Sequence, residues 1–417
     1  MKRRNIICLV VDRLRAAALG AYGAASCDTP ALDRLASEAV LFDAAFADSP
    51  QLETIYRGLW QGLSALAPEE TSAQLPTLPM VLSTVGYNVT LLTDETRVAE
   101  HPLASDFDET IRLALPEVPE VVRHWEETQL ARFFAAAVEQ IEALSARDEP
   151  FALWLHASGM ESTWDAPLEF RNSLADEEDP LPPSGAKVPD RLLPEDFDPD
   201  ELLGAAQAYA GQMMVFDRCT EALLEYVQSA SRTEETLFVL CGARGFPLGE
   251  HRRIGAADEA LYSELLHVPC LLRFPDRQGM LDRIGALTQL ADLPVTLLDW
   301  LQIPLPPQWP SGCLSTLPLI AGTAERLRDA LLFAGPNGER GLRTPAWYLR
   351  TWGAAAEDQR ELYAKPDDRW EANEVSRRLT DLADELAAAA TQLEAAMLSN
   401  PPTTPPPLAP ALIDAEF

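Results

Sequence analysis

Residues 5–23 read NIICLVVDRLRAAALGAYG, and their apolar opening decides what kind of fold the rest of the chain must build. Residues 6–11 form an uninterrupted apolar run without the polar alternation of a half-exposed strand. That is the pattern of a strand covered on both faces of a parallel sheet. The run stops at Asp12. In open α/β sheets the ligand crevice lies beyond the carboxyl ends of the strands, so a carboxylate set directly after such a run is a prime candidate for chemistry.

Outward from this stretch the same alternation repeats. Thr29 as N-cap and Pro30 at the first helical position open a helix whose Leu32, Leu35, Ala36 and Ala39 keep helical spacing, so it backs the first strand. Residues 77–85 place Leu78, Val81, Leu82 and Val85 on one face, Gly86 stops the helix, and a strand follows at 87–92. A long amphipathic helix at 126–146 precedes a buried strand at 151–156. Residues 175–202 are acidic and proline-rich and read as a long surface loop. A helix through Met213, Phe216, Leu223, Leu224 and Val227 then leads to buried strands at 236–240 and 268–274. The expected architecture is α/β. A large, mostly parallel sheet flanked by helices occupies residues 1–334, and a small C-terminal α+β subdomain with a closing helix at 370–398 occupies 335–399. A proline-rich, extended tail fills 400–417.

With 417 residues, 47% of them hydrophobic, the chain is long enough for one large domain and a smaller one. A formal charge of −32 excludes nucleic acid and anionic membranes as fitting partners, because their phosphates would be repelled over the whole surface. Cys8, Cys27, Cys219, Cys241, Cys270 and Cys313 lack CxxC spacing and read as buried free thiols. The basic start at residues 1–4 mimics a signal peptide, yet the apolar run breaks at Asp12-Arg13 with no small-residue cleavage site beyond it. No apolar run approaches the roughly 20 residues needed to span a bilayer, and the expected location is the cytoplasm.

Asp12, then Leu14-Arg15, Leu19-Gly20-Ala21-Tyr22-Gly23 and residues 29–36 (TPALDRLA), follow one another in an order that resembles the opening of the sulfatase family, in the alkaline phosphatase superfamily. The likeness continues through residues 248–251, Leu261-Tyr262 with Glu264, Val268-Pro269, residues 292–304, 341–348 and 361–363. It covers nearly the whole chain and is weakest at 99–126 and 175–202. The resemblance implies an alkaline-phosphatase-like fold and hydrolysis of sulfuric or phosphoric esters. It also implies a formylglycine nucleophile made from Cys or Ser, a Ca²⁺ or Mg²⁺ held by several carboxylates, and Lys and His groups that stabilise the leaving oxygen.

At those implied positions this sequence departs from the family. The nucleophile segment, Cys/Ser-x-Pro-Ser-Arg in sulfatases, reads Leu52-Glu53-Thr54-Ile55-Tyr56, and Leu52 has no atom to oxidise or deprotonate. A shift of two residues would bring Thr54 there, either as a nucleophile that needs metal activation or as a hydroxyl capping a helix that starts near Ile55. The loop where a Lys and a His are implied reads Thr93-Asp94-Glu95-Thr96-Arg97, and Glu161 stands where a His is implied. The second metal segment, Ser-Asp-His-Gly or Ser-Asp-Asn-Gly in the family, reads Cys241-Gly242-Ala243-Arg244-Gly245, and Arg13 follows Asp12 where a second Asp is implied.

Arg13 and Arg244 therefore either replace the ion, neutralising Asp12 through hydrogen bonds, or point to solvent from strand-end loops. A lone carboxylate beside a fixed positive charge does not suit a hard divalent cation. A rebuilt Ca²⁺ or Mg²⁺ site would have to draw on Asp12, Asp94, Glu161 and His251. Glu53, Asp94, Glu95 and Glu161 are expected to ring the crevice and repel sulfate and phosphate esters. His156 and His251 read as hydrogen-bonded structural histidines, leaving Thr54 and His251 as the candidates for any catalytic role. The expected function is that of a sulfatase-like pseudoenzyme without a cofactor, binding an unidentified protein or small-molecule ligand through the crevice or the acidic, proline-rich segments. The alternatives are an active sulfuric- or phosphoric-ester hydrolase rebuilt around Thr54 and Asp12, and a mainly structural subunit.

Overall fold

The computed structural model describes every residue except 1–3, 26, 230–234, 256–259, 354–358, 400–402, 404–405 and 415–417. The start of the signal-like segment and part of the proline-rich tail lie outside the described residues. The main sheet contains strands β1 (Asn5–Val11), β2 (Val40–Phe42), β3 (Asn88–Thr93), β4 (Glu109–Arg112), β5 (Phe151–Ala157), β6 (Thr236–Gly242) and β7 (Cys270–Arg273), with the two-residue strand Arg283–Ile284 at its edge. From that edge the order runs β2, β7, β6, β1, β5, β3, β4. Strand β1 is buried along its whole length between β5 and β6, and both pairings are parallel, as the apolar run requires. Strand β3 is parallel to both β5 and β4. Strand β7 runs antiparallel to β6 and to β2, a direction that an apolar run cannot encode.

Because β1, β3, β5 and β6 are parallel, their carboxyl ends meet at one edge of the sheet. Val11 is in register with Ala157 and with Gly242, and Thr93 with His156. The residues that follow them, Asp12, Asp94, Ser158 and the 243–245 turn, are thereby gathered from distant parts of the sequence.

Helices α1 (Pro30–Glu38), α2 (Leu52–Gln61), α3 (Gln129–Ser145), α4 (Pro199–Ser229) and α5 (Thr380–Leu398) are the main helical elements. Ile7, Leu9 and Val11 on one face of β1 pack into a core with Leu32 and Leu35 of α1, Phe133 and Ile141 of α3, and Met213, Phe216 and Leu223 of α4. Helix α1 begins at Pro30, but its cap comes from elsewhere. Asp217 of α4 accepts from the amides of Ala31 (3.2 Å) and Leu32 (2.9 Å), while the Thr29 hydroxyl accepts from Gly20 instead.

Residues 331–364 form a four-stranded antiparallel sheet of β8 (Leu331–Ala334), β9 (Arg340–Arg343), β10 (Trp347–Thr351) and β11 (Arg360–Ala364). Its Leu342, Leu349 and Leu362 pack with Ala383 and Leu386 of α5. The closing helix starts at Thr380, ten residues later than the sequence suggests. Near the end of the chain, residues 411–413 dock against the start of β10. Ile413 accepts from the Ala346 amide (3.1 Å), Ala411 accepts from the Trp347 indole (3.1 Å), and Leu412 and Ile413 are buried.

Two compact units result, and they interleave along the chain. One comprises Met1–Asp43, Pro79–Asp258 and Val268–Arg283, and the other Ala44–Leu78, Glu259–His267 and Ile284–Phe417. In this division segments 44–78, 259–267 and 284–334 group with the C-terminal sheet, whereas the sequence places them with the main sheet. The six cysteines are thiols rather than disulfides, five of them buried and Cys270 partly exposed. Among the described residues no helix is long and apolar enough to cross a membrane.

Candidate functional site

The carboxyl edge of the main sheet holds a cluster of paired charges. Asp12 is fully buried and accepts from Arg244 through both oxygens, Nε to Oδ1 at 2.9 Å and Nη2 to Oδ2 at 3.1 Å. The amide of Arg13 adds a third bond to Oδ1 at 2.9 Å. Burial by itself would raise the Asp12 carboxyl, but the charge and hydrogen bonds of Arg244, with the charge of Arg13, outweigh it and hold the group at about 2. Neither guanidinium points to solvent, for both arginines are 1% exposed.

Arg13 turns away from its neighbour. Its backbone lies in the left-handed region at φ 58°, a conformation that costs a non-glycine residue about 1–2 kcal/mol. This sends its Nε to Glu161 Oε2 at 2.7 Å, while the Tyr209 hydroxyl donates to its carbonyl at 2.9 Å. Glu161 also faces Arg244 Nη2 at 3.5 Å and Arg97 Nη2 at 3.7 Å. Arg97 in turn donates to Glu95 at 3.1 Å.

The loops that carry these groups are tightly set. A Cβ on Gly159, whose φ is +55°, would meet Val11 Cγ1 at 2.6 Å and the Asp12 carbonyl at 2.8 Å, so only glycine lets the loop after β5 pass so near β1. The Met160 amide then donates to that same Asp12 carbonyl at 3.1 Å, which places Glu161 over Arg13. On the β6 side, a Cβ at Gly242 would lie 2.4 Å from the Leu14 carbonyl. Asp94 accepts from the Ser158 amide (2.6 Å) and hydroxyl (2.7 Å), tying the β3 and β5 loops together, and burial raises its carboxyl to about 6 against those bonds. His156, buried on β5, is driven down to about 4 by burial, with Arg244 and Arg97 opposing the pull of Asp12 and Glu95. It is neutral at pH 7.

Both oxygens of Asp12 are engaged by Arg244, Asp94 is engaged by Ser158, and Glu161 lies among three guanidinium groups. Hard divalent cations need several oxygen donors and no fixed cation among them, so this set does not fit Ca²⁺ or Mg²⁺. Among the described residues no group of three or more His, Cys, Asp or Glu side chains is arranged to hold a metal ion. His251 sits in the turn after Glu250, with φ 50°, and its carbonyl accepts from Arg253 at 2.9 Å. Glu250 pairs with Arg15, whose Nη1 donates to the Phe246 carbonyl at 3.0 Å.

The segment at the implied nucleophile position belongs to the other compact unit. Helix α2 opens at Leu52, with Gln51 as its N-cap, and Leu52 is buried at 1% exposure. Thr54 lies within the first turn, so it is not the residue that caps this helix. Arg97 and Ser158 are the site residues that sequence reasoning missed. Arg97 could have been found as a third arginine at a strand-end loop, but nothing local marks Ser158.

The sulfatase family model matches residues 4–303. A protein solved with its substrate D-glucosamine-2-N,6-O-disulfate superposes with a TM-score of 0.75 at 17% identity, over 94% of this chain and 98% of that one. The phosphonate monoester hydrolase of Agrobacterium radiobacter superposes with a TM-score of 0.77 at 17% identity, covering 95% and 96%. The phosphonate monoester hydrolase from Silicibacter pomeroyi gives 0.72 at 18%, covering 94% of each chain. No curated protein sequence matches the chain.

Proposed function

This chain belongs to the sulfatase family, and from that membership we propose that it is a non-catalytic member whose strand-end crevice binds a ligand without turning it over. The observation that carries this reading is the two-pronged Arg244–Asp12 pair. It puts a permanent cation, fixed by the fold, against the carboxylate with which the family's metal site is implied to begin. A guanidinium balances the charge of Asp12 and keeps the old metal loop ordered, but it offers no open coordination position for an ester oxygen or a water. Leu52 at the implied nucleophile position supports the same conclusion, because a saturated side chain supplies no attacking atom.

The test combines turnover and metal linkage. Aryl sulfate, aryl phosphate and phosphonate monoester substrates should show no hydrolysis above background with Ca²⁺ or Mg²⁺ present. The melting temperature should be the same in either cation as in chelator. A divalent site at a hundredfold excess over its dissociation constant would stabilise the fold by about 2.7 kcal/mol, which is easily seen. Turnover lost in Asp12→Ala or Thr54→Ala, or a metal-dependent rise in melting temperature, would overturn the reading and point to a rebuilt hydrolase.

A further inference from the structure

We infer that Arg13, Arg97 and Arg244 form a carboxylate-binding site whose present occupant is the protein's own Glu161, and that the carboxylate of a small organic acid takes the site when Glu161 leaves it. The inference rests on the non-catalytic reading of the crevice and names the ligand class that the crevice would hold.

Three loops, following β1, β3 and β6, each bring one guanidinium to the same side chain. Glu161 Oε2 accepts from Arg13 at 2.7 Å, and Oε1 lies 3.5 Å from Arg244 and 3.7 Å from Arg97. One oxygen of the planar group thus accepts from Arg13 while the other lies within ion-pair distance of Arg244 and Arg97, an arrangement suited to a carboxylate. The charges show which anion is exchangeable. Asp12 is held by Arg244 and by the Arg13 amide, and Glu95 by Arg97, so Glu161 is the counter-charge for the Arg13 guanidinium. His156 is neutral, and Asp94 is occupied by Ser158. Removing Glu161 would leave the Arg13 guanidinium, at 1% exposure, with the Gly245 carbonyl at 3.5 Å but no carboxylate bonded to it, a drive to take up another anion.

Access is one-sided. The side chains of Asp12, Arg13 and Arg244 are at most 1% exposed, whereas those of Glu161 and Arg97 are 23% and 41% exposed. Exchange would therefore occur on the Glu161–Arg97 side without disturbing the Asp12–Arg244 pair. The loop backbone is pinned by Gly159 and Ser158, so Glu161 can leave by side-chain rotation alone.

The experiment is thermal unfolding of the full-length protein and of Glu161→Ala in sodium acetate or succinate, against sodium chloride at matched ionic strength. Glu161→Ala should melt below the wild type and regain stability saturably in millimolar acetate. The wild type should need at least tenfold more, because its own carboxylate competes. Adding Arg97→Ala should raise the half-saturating acetate concentration at least tenfold. Coincident acetate and chloride curves for Glu161→Ala, or rescue unaffected by Arg97→Ala, would overturn the inference. If Glu161→Ala does not fold, Glu161→Ser, which also removes the carboxylate and leaves its space open, carries the same comparison. Absence of rescue leaves the non-catalytic reading intact, whereas that reading fails only on turnover or metal linkage.

Discussion

Arg244 holds Asp12 in a two-pronged grip, Nε to Oδ1 and Nη2 to Oδ2, although the two residues lie 232 positions apart in the sequence and both are shut away from water. The pair joins the ends of β1 and β6, neighbouring parallel strands at the centre of the sheet. A buried pair of this kind adds little net stability over an apolar pair of the same size, but breaking it strands a charge.

Arg244→Met alone should therefore cost about 3–5 kcal/mol, because Asp12 is left buried and unpaired. The double substitution Asp12→Leu with Arg244→Met should cost less than Arg244→Met alone. Urea unfolding of the two variants checks this, and a single-variant cost below about 1 kcal/mol would contradict it.

Asp94 should make stability depend on pH in a direction opposite to Asp12. Burial raises the Asp94 carboxyl from 3.8 to about 6, so the folded state binds more protons than the unfolded one between those values. Its contribution is greatest in acid and is lost as pH rises through about 4 to 6. Asp94→Asn should gain on the wild type by about 2 kcal/mol between pH 4 and pH 7, read from denaturant unfolding at both values. Asp12 is held below its ordinary value, so its contribution is present above pH 4 and falls away towards pH 2.

Asp217→Ala should destabilise the fold by about 1–2 kcal/mol, because the amides of Ala31 and Leu32 at the start of α1 lose their acceptor. Asp217→Asn, which keeps one oxygen, should cost less. An equal cost for both would show that the charge, rather than the cap, is what matters.

A chain ending at residue 405 should lose about 3–5 kcal/mol from the second unit, through exposure of the surface that buries Leu412 and Ile413 and loss of the acceptor for the Trp347 indole. The lowered melting temperature is the readout. An unchanged value would mean that the end of the chain does not dock in solution.

Much of the fold was legible because periodicity is a local property. The run at residues 6–11 marked a fully buried parallel strand, and the spacing of Leu32 and Leu35 marked the helix behind it. Strand β7 read correctly as a strand, but its antiparallel direction depends on β6 and β2 rather than on its own residues. The residues at 370–379 carry a helical pattern, yet there Lys365 pairs with Glu371 at 2.9 Å and Glu371 accepts from the Ser263 amide at 3.0 Å. Those tertiary bonds are invisible to a helical pattern.

The sequence by itself determined the chemical inventory at the strand ends: a lone Asp12, arginines at 13 and 244, a glutamate at 161 and leucine at the implied nucleophile position. Only the tertiary structure decided the partners. Arg244, remote in sequence, takes Asp12 on both oxygens, while Arg13, its immediate neighbour, turns through a left-handed backbone to Glu161. Charge pairing is decided by distances of a few ångströms and by the register of parallel strands. Order along the chain specifies neither until the sheet has brought its carboxyl ends together.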